Sequence, residues 1–164
     1  MLKKFYTLYI STVLLLIVFI SSASVCKDTS MYFPIHSKYS ISSNYGNRYL
    51  KNNHFHNGID IPKTVGTPVY PLSDGIISQI GFSKSYGNFI VITYDNGYKS
   101  LYGHMSYEYP FAKGAYVTHN DVIGYVGPKY LSSGKLNGFT TGPHLHFSLY
   151  EDGKHIDPLS IKYN

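Results

Sequence analysis

Two histidines separated by a single residue, His144 and His146, stand in the segment Gly142-Pro143-His144-Leu145-His146-Phe147. Strand-like residues surround them. On an extended backbone both imidazoles project from one face, while Leu145, Phe147 and Leu149 turn to the other, where a core would take them. A second pair, His56 and Asp60, lies in His56-Asn57-Gly58-Ile59-Asp60. Their separation is even, so an extended segment sends both side chains to the same side, and Gly58 removes side-chain bulk where a metal would approach. Imidazole and carboxylate are both good zinc ligands, and three protein ligands with a water in the fourth position form the catalytic arrangement. His56, Asp60 and one of His144 or His146 would complete a His₂Asp set. H-x-x-x-D alone is a weak signal, and the later His-x-His strengthens it. What remains is one histidine of that pair and His104, which ends the strand-like run Tyr98 to Tyr102 in Tyr102-Gly103-His104. An unligated imidazole near a zinc-bound water can take or return a proton and can hydrogen-bond a tetrahedral oxyanion. The chemistry implied is metal-assisted hydrolysis.

The elements that must position these residues read as β structure. Composition leans that way, with 18 Tyr, 9 Phe and 15 Gly and no Trp. Short β-rich runs alternate with turn signals: Thr67–Pro71, Ile76–Ile80, Phe89–Tyr94, Tyr98–Tyr102, Val122–Gly127 and Leu145–Tyr150. Asn96-Gly97 between two apolar runs predicts a hairpin, because both positions tolerate positive φ. No stretch shows a sustained 3.6-residue apolar period. The expected fold class is all-β, a single antiparallel β-sheet domain beginning near Phe33-Pro34 and running to about Ile161 (residues 33–161), behind a short polar lead at 25–32. Pro128 to Thr141 is long for a hairpin connection and leads directly into His144, so it is expected to form one wall of a cleft.

At 164 residues, 43% of them hydrophobic, the chain has enough apolar content for one core. Residues 1–24 read as a signal peptide: Lys3 and Lys4 form a positive n-region, Val13 to Ile20 an apolar core, and Ser21-Ser22-Ala23-Ser24 a cleavage site. Phe5 to Ile20 contains Thr7, Ser11 and Thr12 and falls short of the roughly 20 apolar residues a membrane span requires. Cys26, the lone cysteine, forms no internal disulfide. Lipidation there would attach the N-terminus to a membrane, but Val25 precedes it where Gly, Ala or Ser is usual. A zinc site without thiolates suits an oxidising compartment. Lys3 and Lys4 supply two of the net +5 charges. The remainder is a mild bias without a Lys/Arg cluster, compatible with an anionic cell wall and not with nucleic-acid binding.

The chain resembles the M23 zinc metallopeptidases, the lysostaphin-type or LytM-like peptidases, over roughly Phe33 to Leu159. The matching segments, in the family's order, are His56-Asn57-Gly58-Ile59-Asp60, Gly66-Thr67-Pro68-Val69-Tyr70, Asp74-Gly75, Tyr86-Gly87-Asn88, Leu101-Tyr102-Gly103-His104, Ile123-Gly124-Tyr125-Val126-Gly127, Thr141-Gly142-Pro143-His144-Leu145-His146-Phe147 and Asp157-Pro158. The resemblance implies a sheet whose groove carries one Zn²⁺ held by His56, Asp60 and His146. His104 and His144 would then be the non-ligand catalytic pair that orients water and stabilises the oxyanion. It further implies an exported, monomeric endopeptidase of bacterial peptidoglycan, in the periplasm or cell wall. Some relatives have lost ligands and act as wall-binding modules or hydrolase activators, whereas this chain keeps all five polar positions. Many relatives carry a long N-terminal region or a wall-targeting domain, and neither is read in this sequence. The Pro128–Thr141 connection looks longer than usual. His54, His36, His119 and His155 read as rim, turn or surface residues, and Tyr49 is one of many tyrosines that could line the cleft.

Overall fold

The computed structural model describes residues 30–48 and 55–164. The expectations for residues 1–24, Cys26, Tyr49 and His54 fall outside the described residues. In chain order the strands are β1 (Gly46–Asn47), β2 (Phe55–His56), β3 (Ile59–Pro62), β4 (Pro68–Val69), β5 (Gly75–Ser83), β6 (Gly87–Thr93), β7 (Tyr98–Gly103), β8 (Tyr116–Val117), β9 (Gly124–Tyr125), β10 (His144–Glu151) and β11 (Lys154–Ile156). A single 3₁₀ turn at Pro158–Ser160, capped by the Asp157 carboxylate, is the sole helical piece among the described residues. No helix there is long and apolar enough to cross a membrane.

The main sheet runs β11-β10-β7-β6-β5-β8, and every pairing in it is antiparallel. This is the all-β, antiparallel sheet domain that the residue pattern implied, with β1-β2 and β4-β9 as separate two-stranded ladders beside the main sheet. β10 is its hub. One edge pairs with β7 along most of its length, and the other is shared between β3 at its N-terminal half and β11 at its C-terminal half. A strand paired on both edges has its register fixed on both sides, which is what a precise site needs.

Alternation divides the sheet into two faces. Leu145, Phe147 and Leu149 from β10 join Ile59 and Ile61 from β3, Tyr102 from β7 and Ile90 and Ile92 from β6 in the main core. The opposite face holds a smaller cluster of Phe89, Val91 and Leu101 with Tyr86 and Tyr150 against it. His144, His146 and Ser148 belong to that second face by the period of two.

The Asn96-Gly97 hairpin forms, joining β6 to β7. Only Gly97 takes positive φ, at 86°. Tyr94 N–H donates to the Tyr98 carbonyl at 3.0 Å. A three-residue loop with glycine last suits that pattern, so Asn96 does not need the left-handed conformation it could tolerate. Two predicted strands shrink, Thr67–Pro71 to Pro68–Val69 and Val122–Gly127 to Gly124–Tyr125, which pair with each other apart from the main sheet. Proline at 68 and 71 limits the donors available for a longer ladder.

Candidate metal centre

The register of β10 against β3 sets His146 directly opposite Asp60 and His144 opposite Pro62. Directly paired residues of an antiparallel ladder share a face, so His146 and Asp60 must meet. His56 arrives differently. It ends β2, and the chain bends at Asn57 and Gly58 before β3 begins. The even spacing of His56 and Asp60 therefore acts through a bend between two strands, not along one extended segment. Gly58 is required for another reason than the one expected. A Cβ there would stand 2.4 Å from the Phe147 carbonyl oxygen and 2.8 Å from Ser148 Oγ, so the missing side chain admits β10, not a metal.

The result is a tight triangle. His56 Nε2 lies 3.1 Å from Asp60 Oδ1, His146 Nδ1 lies 2.9 Å from the same oxygen, and the two ring nitrogens are 3.1 Å apart. These three form the one metal-capable cluster of His, Cys, Asp and Glu found among the described residues. His144 Nε2 is a step further out, 3.5 Å from Asp60 Oδ1. The rings of His104 and His144 are 4.5 Å apart, whereas His104 and His146 are separated by 6.1 Å.

Outer bonds decide what these nitrogens present. His56 Nδ1 donates to the Asn44 carbonyl at 2.8 Å. A carbonyl only accepts, so the neutral ring carries its hydrogen on Nδ1 and turns the Nε2 lone pair toward Asp60. His146 engages Ser148 Oγ through Nε2 at 2.8 Å, leaving Nδ1 for the triangle. With the His146 hydrogen on Nε2, two lone pairs and a carboxylate oxygen converge at about 3 Å. A single proton can bridge one edge of such a triangle, whereas a divalent cation satisfies all three corners. Tetrahedral zinc ligands at roughly 2.0–2.1 Å from the metal stand about 3.3 Å apart, close to the observed edges. The donor set fits a metal.

Burial and charge agree. His56, His104 and His146 are buried at 6%, 4% and 5% exposure. Burial alone would raise the Asp60 carboxyl, but the hydrogen bonds that His144, His146 and His56 donate when protonated hold it well below the usual carboxylate range. Burial lowers His146. Burial lowers His104 to about 4, helped by the charge of His144 and opposed by its bond to the Asn137 carbonyl. For His144 burial works downward, yet the bonds to Asp60 and to the Gly142 carbonyl carry it above its ordinary value.

His104 sits just past the end of β7 with φ 57°, an unusual conformation for a side chain of its size. Its N–H donates to the Tyr86 carbonyl at 2.7 Å, and its carbonyl accepts from Gly127 N–H at 2.9 Å. Nδ1 donates to the Asn137 carbonyl at 2.6 Å. His144 Nδ1 likewise donates to the Gly142 carbonyl at 2.9 Å. Each neutral ring therefore carries its lone pair on Nε2. All five sequence-predicted residues line one cleft of about 480 Å³, flanked by the exposed rings of Phe55 and Phe139. Phe139 belongs to the Pro128–Thr141 loop, which supplies a cleft wall as expected.

Four residues with site contacts escape a reading of residue types. Asn44 and Asn137 act on His56 and His104 through backbone carbonyls, which no side-chain motif reveals. Asn137 is fully buried and is also tied to Asn88 N–H and to the Met105 carbonyl. Ser148 carried a usable signal, since it continues the His144–His146 face by two. Arg48 did not: its Nη2 bonds Asp60 Oδ2 at 2.6 Å from a segment with no motif. The remaining described histidines sit elsewhere: His36 stacks on Tyr70, His155 lies against Tyr150, and His119 bonds Asp74 in a turn.

The sequence profile of peptidase family M23 matches residues 54–158, well over half the chain. The chain belongs to peptidase family M23. Over 131 residues it is 34% identical to the peptidoglycan DD-endopeptidase ShyA of Vibrio cholerae, an alignment covering 77% of this chain and 28% of that protein. Among solved structures it superposes on a zinc-containing peptidase from Vibrio cholerae with a TM-score of 0.70 and 26% identity, covering 82% of this chain and 41% of that one. The catalytic domain of the antimicrobial peptidase lysostaphin from Staphylococcus simulans gives a TM-score of 0.63 at 31% identity, covering 74% of this chain and 90% of that domain. The M23 chain thus has the lysostaphin-type fold. It spans about a quarter of the length of the curated relatives it matches.

Proposed function

We propose that this M23 chain is an exported zinc metalloendopeptidase that hydrolyses peptide bonds of bacterial peptidoglycan, in the stem peptide or the cross-bridge. The observation that carries the reading is the triangle of His56 Nε2, Asp60 Oδ1 and His146 Nδ1, three acceptors aimed at one point with edges of 2.9 to 3.1 Å. These three residues would hold the zinc. The bound ion would lower the pKa of water to about 7 and polarise the scissile carbonyl. His104 and His144 do the rest with their Nε2 atoms. One such nitrogen accepts a proton from the attacking water as the C–O bond forms. The same proton goes to the departing amine as the C–N bond breaks. A ring protonated on Nε2 can donate that hydrogen to the oxyanion of the tetrahedral intermediate. The backbone carbonyls of Asn137 and Gly142 keep each ring in the tautomer this requires.

Support for the substrate comes from the peptidoglycan DD-endopeptidase among the relatives, and for the metal from the zinc-containing structural neighbour. A peptidase unit spanning residues 33–161, a signal peptide at 1–24 and a place in the periplasm or cell wall complete the reading. Purified protein is incubated with purified peptidoglycan, with and without a chelator, and the released fragments are weighed by mass spectrometry. The expected result is new amino and carboxyl ends that vanish with chelation and return with zinc. Binding to the wall with no bond cut would replace the reading by a non-enzymatic wall-binding module.

A further inference from the structure

The two oxygens of Asp60 have different surroundings. Oδ1 faces His56, His146 and His144 at 3.1, 2.9 and 3.5 Å. Oδ2 takes the guanidinium of Arg48 at 2.6 Å, a short charge-assisted bond. Arg48 directly follows β1, and β1 pairs Gly46 with His56. The hairpin that delivers one member of the triangle therefore also delivers the clamp on another. The Asp60 backbone is fixed independently, since its N–H donates to the Ser43 carbonyl and its carbonyl accepts from Ser42 N–H, both at 2.9 Å. Main-chain bonds hold the residue in place. Arg48 is left to fix the twist of its carboxylate.

That twist matters because a carboxylate can bind a cation through one oxygen or through both. A catalytic zinc site needs a position free for water and substrate, and a second carboxylate oxygen on the metal would take it. Partners of ligating side chains commonly fix their orientation in this way. Resting on the reading that His56, Asp60 and His146 hold the metal, we propose that Arg48 is a positioning residue that restricts Asp60 to single-oxygen coordination by retaining Oδ2 for itself. Its role is in keeping a coordination position accessible, not in holding the ion. Arg48 Nε is buried without a partner among the described residues, so the Nη2 bond to Asp60 is its anchoring contact there.

The test uses the full chain, stripped of metal and reloaded with Co²⁺, whose visible absorption weakens as coordination number rises above four. Arg48→Ala is expected to bind one equivalent of Co²⁺ still, with visible absorption reduced at least about twofold. Zinc-loaded turnover on purified peptidoglycan should fall by about 10–100-fold. Arg48→Lys, which offers a single donor, should recover part of both signals. An Arg48→Ala spectrum identical to that of the parent overturns the proposal, whatever its activity. Should Arg48→Ala fail to fold, a crystal structure of the zinc-loaded parent decides: Oδ1 alone on the metal with Oδ2 on Arg48 supports it, and both oxygens on the metal overturn it. Failure of the underlying ligand reading is separable, because Asp60→Ala would then bind Co²⁺ as the parent does.

Discussion

Among the described residues, two places pair a histidine with an aspartate at 3.1 Å, and only one of them has the makings of a metal site. At the first, His119 Nδ1 meets Asp74 Oδ1 while His119 Nε2 accepts from the Asn120 side-chain amide at 3.0 Å. The His119 N–H and Tyr116 hydroxyl also reach the Asp74 carboxylate. Every acceptor faces a donor, so the group is complete as it stands. At the second, His56 spends its Nδ1 hydrogen on Asn44 and His146 spends its Nε2 on Ser148. With both rings neutral and the His146 hydrogen on Nε2 toward Ser148, the atoms left to face Asp60 Oδ1 are lone pairs. Residue types and distances are alike, and what separates a structural ion pair from a candidate centre is where the protons are. Burial reinforces the contrast: the side chains are 6% and 15% exposed at His56 and Asp60, against 22% and 34% at His119 and Asp74.

The largest effect that would expose this difference is removal of a corner of the triangle. Asp60→Ala, His56→Ala or His146→Ala should lose bound zinc and peptidoglycan cleavage together, measured as metal per chain by mass spectrometry beside fragment release. Retention of both in any one of them breaks the comparison. Next comes the pair that the reading keeps off the metal. His104→Ala and His144→Ala should keep one zinc per chain while turnover drops by about 10²–10⁴-fold. Undiminished cleavage by His144→Ala would remove it from the chemistry.

A smaller effect concerns pH. The folded-state pKa of His104 is depressed from its ordinary 6.5 to about 4, chiefly by burial. Between those values the unfolded chain takes up a proton that the native ring refuses. This contribution is complete above pH 6.5 and is lost as pH falls toward 4, on the order of 3 kcal/mol across the window. Metal-free protein titrated with denaturant from pH 7 to 4 should lose stability more steeply than His104→Gln does. Equal slopes would contradict the assigned burial. The smallest effect belongs to the other His–Asp pair: His119→Ala and Asp74→Asn should leave zinc content and cleavage unchanged and shift stability by no more than about 1 kcal/mol.

Side-chain identities and strand period made much of the site legible in the sequence. His144 and His146 share a face because β10 is extended, and the same period placed Leu145, Phe147 and Leu149 in the core. Asp60 meets His146 through strand register, which the sequence does not state, although hydrophobic alternation in β3 makes it the register that buries Ile59 and Ile61. His56 was selected by a spacing argument whose geometry differs from the folded one, since the chain bends at Gly58. The Asn44 and Asn137 contacts were not legible at all. A carbonyl belongs to every residue, and which one meets an imidazole depends on the path of the chain between elements. Arg48 stayed hidden because its partner is set by a short β1–β2 pairing that has no apolar pattern of its own.

Anomalous diffraction at the zinc edge from crystals of the reconstituted chain tests the central claim most directly. The account predicts one peak per molecule, within bonding distance of His56 Nε2, Asp60 Oδ1 and His146 Nδ1, with the His104 and His144 nitrogens off the metal. A peak elsewhere, or none amid the triangle at full zinc loading, would contradict it.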